Sequence, residues 1–464
     1  MGYPIIKYNG TVLSLKNPKV KVVQKMNEHV KVFLTGVLTG AQMEEYTDHM
    51  EAGTKLVVSY VNDDHKQIVL FRGLVAQFRI KLVSNVAHLV VEALSYTSQL
   101  DEVLHRQTFQ NVKMKLQVLL EHVLKSYPKA NCTSRLKNQL LQEFTMQFDE
   151  TDWSFLKRIA SRLGWGLIPD PIGEKPQFYF GLPDGVNQGE LKQYNYSMTR
   201  KSKPGSGKDD NLLYYKVQTT GAKDVLLQIG AEVKFKGKTL YVLQSVAFIR
   251  HSALWHEYVL TTADGMKQDL IVNESIRGIS LKSKVIGIEQ DHVKVFFYEM
   301  DKVKPNVKET YAFPTATFYT SEGNTGWYCM PELFDFVDIY FPTAKEKDAI
   351  VTHSIRKRSK GGDFIKDPST KIFMTKYRKA IIFEKNEILI TGNDDEVVIR
   401  LLDDHGIELR SKKDIRVKAD GNLVLNAGNT IQVTAKDGIG LKCKMSLVEM
   451  DGNIKMTGEK IKTQ

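Results

Sequence analysis

The stretch "GIELRSKKDIRVKADGNLVLNAGNTIQVTAKDGIGLK", residues 406–442, repeats one short pattern every eight residues. Two branched or long apolar residues stand two apart in each copy. The pairs are Ile399 and Leu401, Ile407 and Leu409, Ile415 and Val417, Leu423 and Leu425, Ile431 and Val433, and Ile439 and Leu441. Spacing by two places both members of a pair on one face of a strand, because successive side chains on a strand point to opposite faces. A third position, two further on, is mostly small: Ala419, Ala427, Ala435 and Cys443. Between the pairs lie Asp420-Gly421-Asn422, Gly428-Asn429 and Asp437-Gly438, residue types that accept the left-handed backbone of tight turns. Each repeat therefore reads as one short strand and one corner.

Such an array has one continuous apolar face and nothing in its own chain to cover it. Repeat arrays bury their cores by stacking, and eight residues are few for a complete solenoid coil. Three identical chains wound round a common axis meet the need. Each supplies one face of a triangular prism, with Ile399, Leu401, Ile407, Leu409, Ile415, Val417, Leu423, Leu425, Ile431, Val433, Ile439, Leu441 and Cys443 pointing inward. A single-chain, two-sided solenoid of sixteen residues per coil satisfies the same pattern. A flat array does so less well, since its open edges and bare apolar face invite aggregation.

The chain has 464 residues, enough for three or four domains. No window approaches 18 uninterrupted apolar residues, and "MGYPIIKYNG" lacks the regions of a signal peptide. A soluble protein made in a cytoplasm is expected. Cys132, Cys329 and Cys443 lie far apart without metal-ligand spacing, so neither a disulfide framework nor a metal site is expected. The formal charge is +11, yet residues 385–464 hold 13 Lys plus Arg against 13 Asp plus Glu, so the excess lies upstream. The clusters Arg200-Lys201-Ser202-Lys203 and Arg356-Lys357-Arg358 lack interleaved aromatics and read as solvated loops, not as a nucleic-acid footprint.

Upstream of the repeat the pattern is mainly β with a small helical insertion. Short strands fill residues 12–98. Val112, Leu116, Leu119, Leu120, Val123 and Leu124 then fall on one face of a helix that Pro128 helps to end. A second helix carries Trp153, Leu156, Ile159, Ala160 and Leu163, with Asp149 or Asp152 as its cap and Gly164 as its stop. Strands resume to about residue 278, and five more in 279–358 suit a small closed barrel. The expected domains are 1–108 (β), 109–170 (helical), 171–278 (β), 279–358 (small barrel), 359–398 (linker and neck) and 399–464 (repeat).

These segments resemble a known family. "ETDWSFLKRIASRLGWGLIPD" (150–170) is similar to a helix of phage tail hub proteins and of the VgrG spike of type VI secretion. "LFRGLVAQF" (70–78), "ALSYTSQLD" (93–101) and "FQNV" (109–112) resemble the first hub domain. "HVKVFFYEMD" and "FVDIYFPTAKEKDAIVTHSI" look like the OB-type barrel that follows, and the octapeptide repeat looks like the spike. The resemblance implies two tube-like β-barrel hub domains, an OB-type barrel and a trimeric β-helix spike. It implies a homotrimer in a contractile baseplate whose partners are tail tube and baseplate proteins, the tape-measure protein and the target cell envelope. Residues 359–398 are too few for the lysozyme domain of some relatives. No histidine follows His405, where some spikes end in a metal-binding His-x-His apex, so a separate tip protein is expected.

Enzymatic readings fare worse. "KPGSGKDD" (203–210) departs from a phosphate loop, with Ser202 where its first Gly belongs and Asp209 where its Ser or Thr belongs. His256-Glu257 lacks the second histidine of a zinc protease. Asp149, Glu150 and Asp152 could pair for glycosidic cleavage, but their place at a helix start is explained by capping and dipole. No catalytic, cofactor or metal residues are assigned. A peptidoglycan hydrolase and a trimeric receptor-binding fibre stand as the alternatives.

Overall fold

The computed structural model describes all residues except 1, 40–41, 44–45, 47–49, 184–186, 192–194, 203–210, 221–226, 322–324, 356–366, 393–395, 451, 458 and 463–464. "KPGSGKDD" and Arg356-Lys357-Arg358 thus lie outside the described residues. The chain divides into two compact units, 1–357 and 358–464.

The first unit is organised by a thirteen-stranded sheet. Its strands alternate buried and exposed positions, as in Lys31–Leu38, where Val32, Leu34 and Leu38 are buried. That alternation drives one face of the sheet into a core containing Val22, Leu34, Leu56, Phe71, Leu89 and Val91. A second core of Val217, Val233, Leu240, Tyr258 and Leu260 lies under the later strands. The two β segments, separate in sequence, share this one sheet. Strand Lys16–Lys25 pairs antiparallel with Lys238–Arg250, from Lys21 opposite Phe248 to Lys25 opposite Gln244. Joining two strand edges removes two rows of unpaired backbone groups, and Ala247 and Leu254 cross the seam to pack into the first core.

His256 is buried at this sheet, only 4% exposed, with its Nδ1 unpaired and its ring stacked on Tyr258 at 5.7 Å. Burial lowers its pKa from 6.5 to about 4. Between those values the unfolded chain takes up a proton that the folded one refuses, so stability falls as pH falls through this window. Relative to His256→Leu, the native chain is expected to lose about 2 kcal/mol between pH 7 and pH 5. Denaturant unfolding at both pH values checks it, and parallel pH profiles for the two proteins would count against it.

Two helices, α1 (Leu116–Leu124) and α2 (Asp152–Arg162), pack Leu119, Leu120 and Val123 against Trp153, Phe155, Leu156 and Phe178. The cap of α2 differs from the expected aspartates. Strand Thr145–Thr151 runs up to the helix, and Thr151 Oγ1 accepts from the Ser154 amide at 3.2 Å. Gly164, at φ +74°, ends it: the Trp165 and Gly164 amides donate to the Ala160 and Ser161 carbonyls. Trp153 Nε1 donates to the Asn27 carbonyl at 3.1 Å, tying the helix to the large sheet.

A five-stranded sheet follows, ordered Ala312–Pro314, His292–Phe296, Ser280–Glu289, Phe336–Tyr340 and Ile350–Ile355. Thr315 bridges to Val351 and joins its two edge strands. Phe144, Met146 and Phe148 share its core, with Phe144 4.9 Å from Phe313. Behind them Arg158, 1% exposed, forks onto Glu150 at 2.7 and 2.8 Å, donates to the Met146 carbonyl and reaches Glu346. Arg162 also holds Glu346. Burial pushes the Glu346 carboxyl up, and the two arginines outweigh it, leaving its pKa below the ordinary value. Among the described residues no helix is long and apolar enough to cross a membrane.

Candidate functional site

The second unit carries two small sheets. The first is a five-stranded antiparallel meander of Lys371–Met374, Ala380–Phe383, Glu387–Gly392, Val397–Leu402 and Gly406–Ser411. Its register aligns Phe373, Ile381, Ile390, Ile399 and Leu409 in one row across all five strands. A second row on the same face runs Phe383, Ile388, Leu401, Ile407. This face is bare within the chain, with Ile399 38% and Ile407 73% exposed. The opposite face buries Ala380 and Val398, and there Arg400 pairs with Glu387 at 2.7 Å and with Glu408 at 3.3 Å.

The second sheet joins Ile439–Cys443, Ser446–Met450 and Ile454–Thr457. It aligns Ile439, Met450 and Ile454, and beside them Leu441, Val448 and Met456. Cys443 stands opposite Ser446 and is exposed. Between the two sheets, residues 412–438 form no strand and every one of them is exposed.

The repeat therefore behaves unevenly. Its first two copies meet as a hairpin, with Ile399 opposite Leu409 and Leu401 opposite Ile407, turned by Gly406 at φ +80°. Ile439, Leu441 and Cys443 lie on a paired strand. Ile415, Val417, Leu423, Leu425, Ile431 and Val433 lie on no strand. One strand per repeat was expected throughout, with left-handed corners, but none of Gly421, Gly428 and Gly438 has a positive φ. A strand needs an edge to pair with. One chain offers that edge only where a turn folds a repeat back on its predecessor.

Sequence reasoning began the apolar array at Ile399, whereas the same face extends back to Phe373. The signal was present in "AIIFEKNEILI", where Ile381 and Phe383, then Ile388 and Ile390, also stand two apart. Their intervals depart from eight, which hid them.

Elsewhere the acidic trio is engaged in structural contacts. Asp149 forks with Arg106 at 2.7 and 2.8 Å, which holds its carboxyl below the ordinary range. Glu150 binds Arg158, and Asp152 accepts from Tyr127 Oη at 2.8 Å and Gln147 Nε2 at 2.9 Å. Arg200 and Lys201 lie on strand Asn195–Ser202, not in a loop, with Lys201 over Tyr214. Among the described residues no group of three His, Cys, Asp or Glu is placed to hold a metal ion.

No protein-family model matches the sequence, and no curated protein does. Solved structures match along most of its length. One is the c3393 protein of E. coli, a component of the type VI secretion system with structural similarity to the T4 bacteriophage tail proteins gp27 and gp5. It matches with TM-score 0.52 and 13% identity over 76% of this chain and 99% of that one. The lidded Francisella PdpA-VgrG complex contains a chain that matches with TM-score 0.59 and 11% identity over 89% of this chain and 80% of that one. In the lidless complex the values are 0.58, 10%, 88% and 98%. Identities this low carry the fold alone. The chain has a mainly β, VgrG-like tail-hub fold.

Proposed function

We propose that the chain is the structural hub and spike of a contractile injection machine, either a phage tail baseplate or a phage-tail-like bacteriocin. Three copies close the end of the tail tube, and the C-terminal unit pierces the target envelope when the sheath contracts. Its work is mechanical and has no catalytic turnover. Its partners are tube and baseplate proteins, the tape-measure end and a separate tip protein.

The observation that carries this reading is the exposed apolar face from Phe373 to Leu409, followed by residues 412–438, all of them exposed and in no strand among the described residues. Unpaired backbone and a stripe of Ile, Val and Leu side chains are both costly in water. Two further copies of the same segment supply hydrogen bonds and apolar cover together. The VgrG-like fold supports the assembly in which they meet.

Purified particles test the role. Quantitative mass spectrometry should find three copies per particle, and a labelled chain should mark one end of the tube. Copies distributed along the tube, or a purified chain that degrades peptidoglycan, would refute it.

Cys443 gives an independent reading of register. On the face of Ile439 and Leu441, its thiol should lie near the trimer axis and react with iodoacetamide at least about tenfold more slowly in the native protein than in the unfolded chain. Equal rates would place it on the outside.

A further inference from the structure

At the seam where Lys16–Lys25 pairs with Lys238–Arg250, the solvent-facing side of the large sheet opens a groove of about 1150 Å³. Five cations line it (Lys19, Lys21, Lys25, Lys31 and Arg250) against two carboxylates, Glu28 and Glu257. Those carboxylates already have partners: Glu28 is shared by Lys25 and Lys31 at 3.5 and 3.2 Å, and Glu257 binds Lys216 at 3.0 Å. Lys19, Lys21 and Arg250 are exposed and make no ion pair among the described residues. They stand beside apolar surface. Phe33 and Phe248 flank Lys21 in register, Phe248 stacks on Trp255 at 6.4 Å, and Val23 and Val246 form the next row. Phe33 is 39% exposed and adds its ring to this apolar surface.

We infer that this groove binds an acidic, amphipathic polypeptide segment. Free cations interleaved with aromatic and aliphatic side chains match a chain in which carboxylates alternate with apolar residues. They match a nucleic acid less well, because the aliphatic row of Val23 and Val246 offers its bases no face to stack on. The groove also gives a place to part of the basic excess, which the charge-balanced residues 385–464 do not share. The binding is a property of the single chain and does not depend on the assembly proposed above.

The full-length protein is titrated into a fluorescent sixteen-residue peptide of repeated Asp-Phe-Glu-Leu, with anisotropy as the readout. Light scattering on the same sample records the mass of the binding species. Changing Lys19, Lys21 and Arg250 together to Glu should weaken binding at least about tenfold. Changing Lys302, Lys308 and Lys345 to Glu, an equal change of net charge at exposed sites elsewhere, should alter it less than about twofold. Phe33→Ala should weaken it about threefold or more, which a purely electrostatic contact would not show. Equal losses in the two triple variants would overturn the inference, as would an unaffected Phe33→Ala. So would a dT oligonucleotide of similar length that binds more tightly than the peptide and loses that binding in the Lys19, Lys21 and Arg250 variant.

Discussion

A Val417→Asp chain should fail to assemble at neutral pH, while Arg416→Asp, one residue away, should assemble as the native chain does. In a three-fold prism each inward substitution occurs three times within one layer. Three carboxylates would meet among Ile, Leu and Val side chains without a cation, and each unpaired buried charge costs several kcal/mol. Trimer stability should fall more than about a thousandfold, a loss of roughly 4 kcal/mol or more. The defect should be acid-dependent. Protonating the three carboxyls removes their charge, so lowering the pH to about 4 should restore part of the assembly. Arg416 carries 87% of its side chain in solvent and, among the described residues, pairs only with Asp414 at 3.0 Å, so its loss should stay within about 0.5 kcal/mol. Sedimentation of the two variants side by side measures the contrast. Equal tolerance would mean that the inward and outward faces are wrongly assigned.

The second large effect lies in the first unit. Arg158→Met should destabilise it by about 3–5 kcal/mol, the usual cost of removing one partner from a buried ionic network. Glu150 and Glu346 would be left facing each other's surroundings without their shared cation, and the Met146 carbonyl would lose its donor. Arg162 would still hold Glu346, whereas among the described residues Glu150 pairs with Arg158 alone, so the compensation is partial. Arg158→Lys keeps the charge without the planar fork and should fall between the two. Chemical denaturation followed by tryptophan fluorescence reads it directly, since Trp153 lies on the same helix. A loss below about 1 kcal/mol would mean the network contributes little to the fold.

The contrast between these two places explains what the sequence disclosed. The repeat was legible because its information is local: pairs two apart, small third residues and Gly-Asn corners all lie within one octad. The α2 face and its Gly164 stop were legible for the same reason, being written within a few turns of one helix. The seam was not, because Lys21 and Phe248 meet across more than two hundred residues and nothing in either strand names the other. Nothing local marks Arg158 either, because its partner Glu346 belongs to a turn far along the chain. Met146 and Phe148 on strand Thr145–Thr151, with Phe144 just before it, belong to a core that could not be assigned until the later strands of the five-stranded sheet were in place. The apolar face of the second unit was legible in part. Its strict eightfold period was visible, whereas the irregular copies at Ile381 to Ile390 needed the cross-strand register to align them with Ile399 and Leu409.

The proposed hub-and-spike role turns on whether the apolar face of the second unit is covered by further copies of the same chain. Light scattering of the purified full-length protein at micromolar concentration measures that directly. A mass of three chains, unchanged on tenfold dilution and lost when the C-terminal unit is removed, is the predicted result. A stable monomer of the full chain would contradict the account and favour a sixteen-residue coil closed by one chain alone.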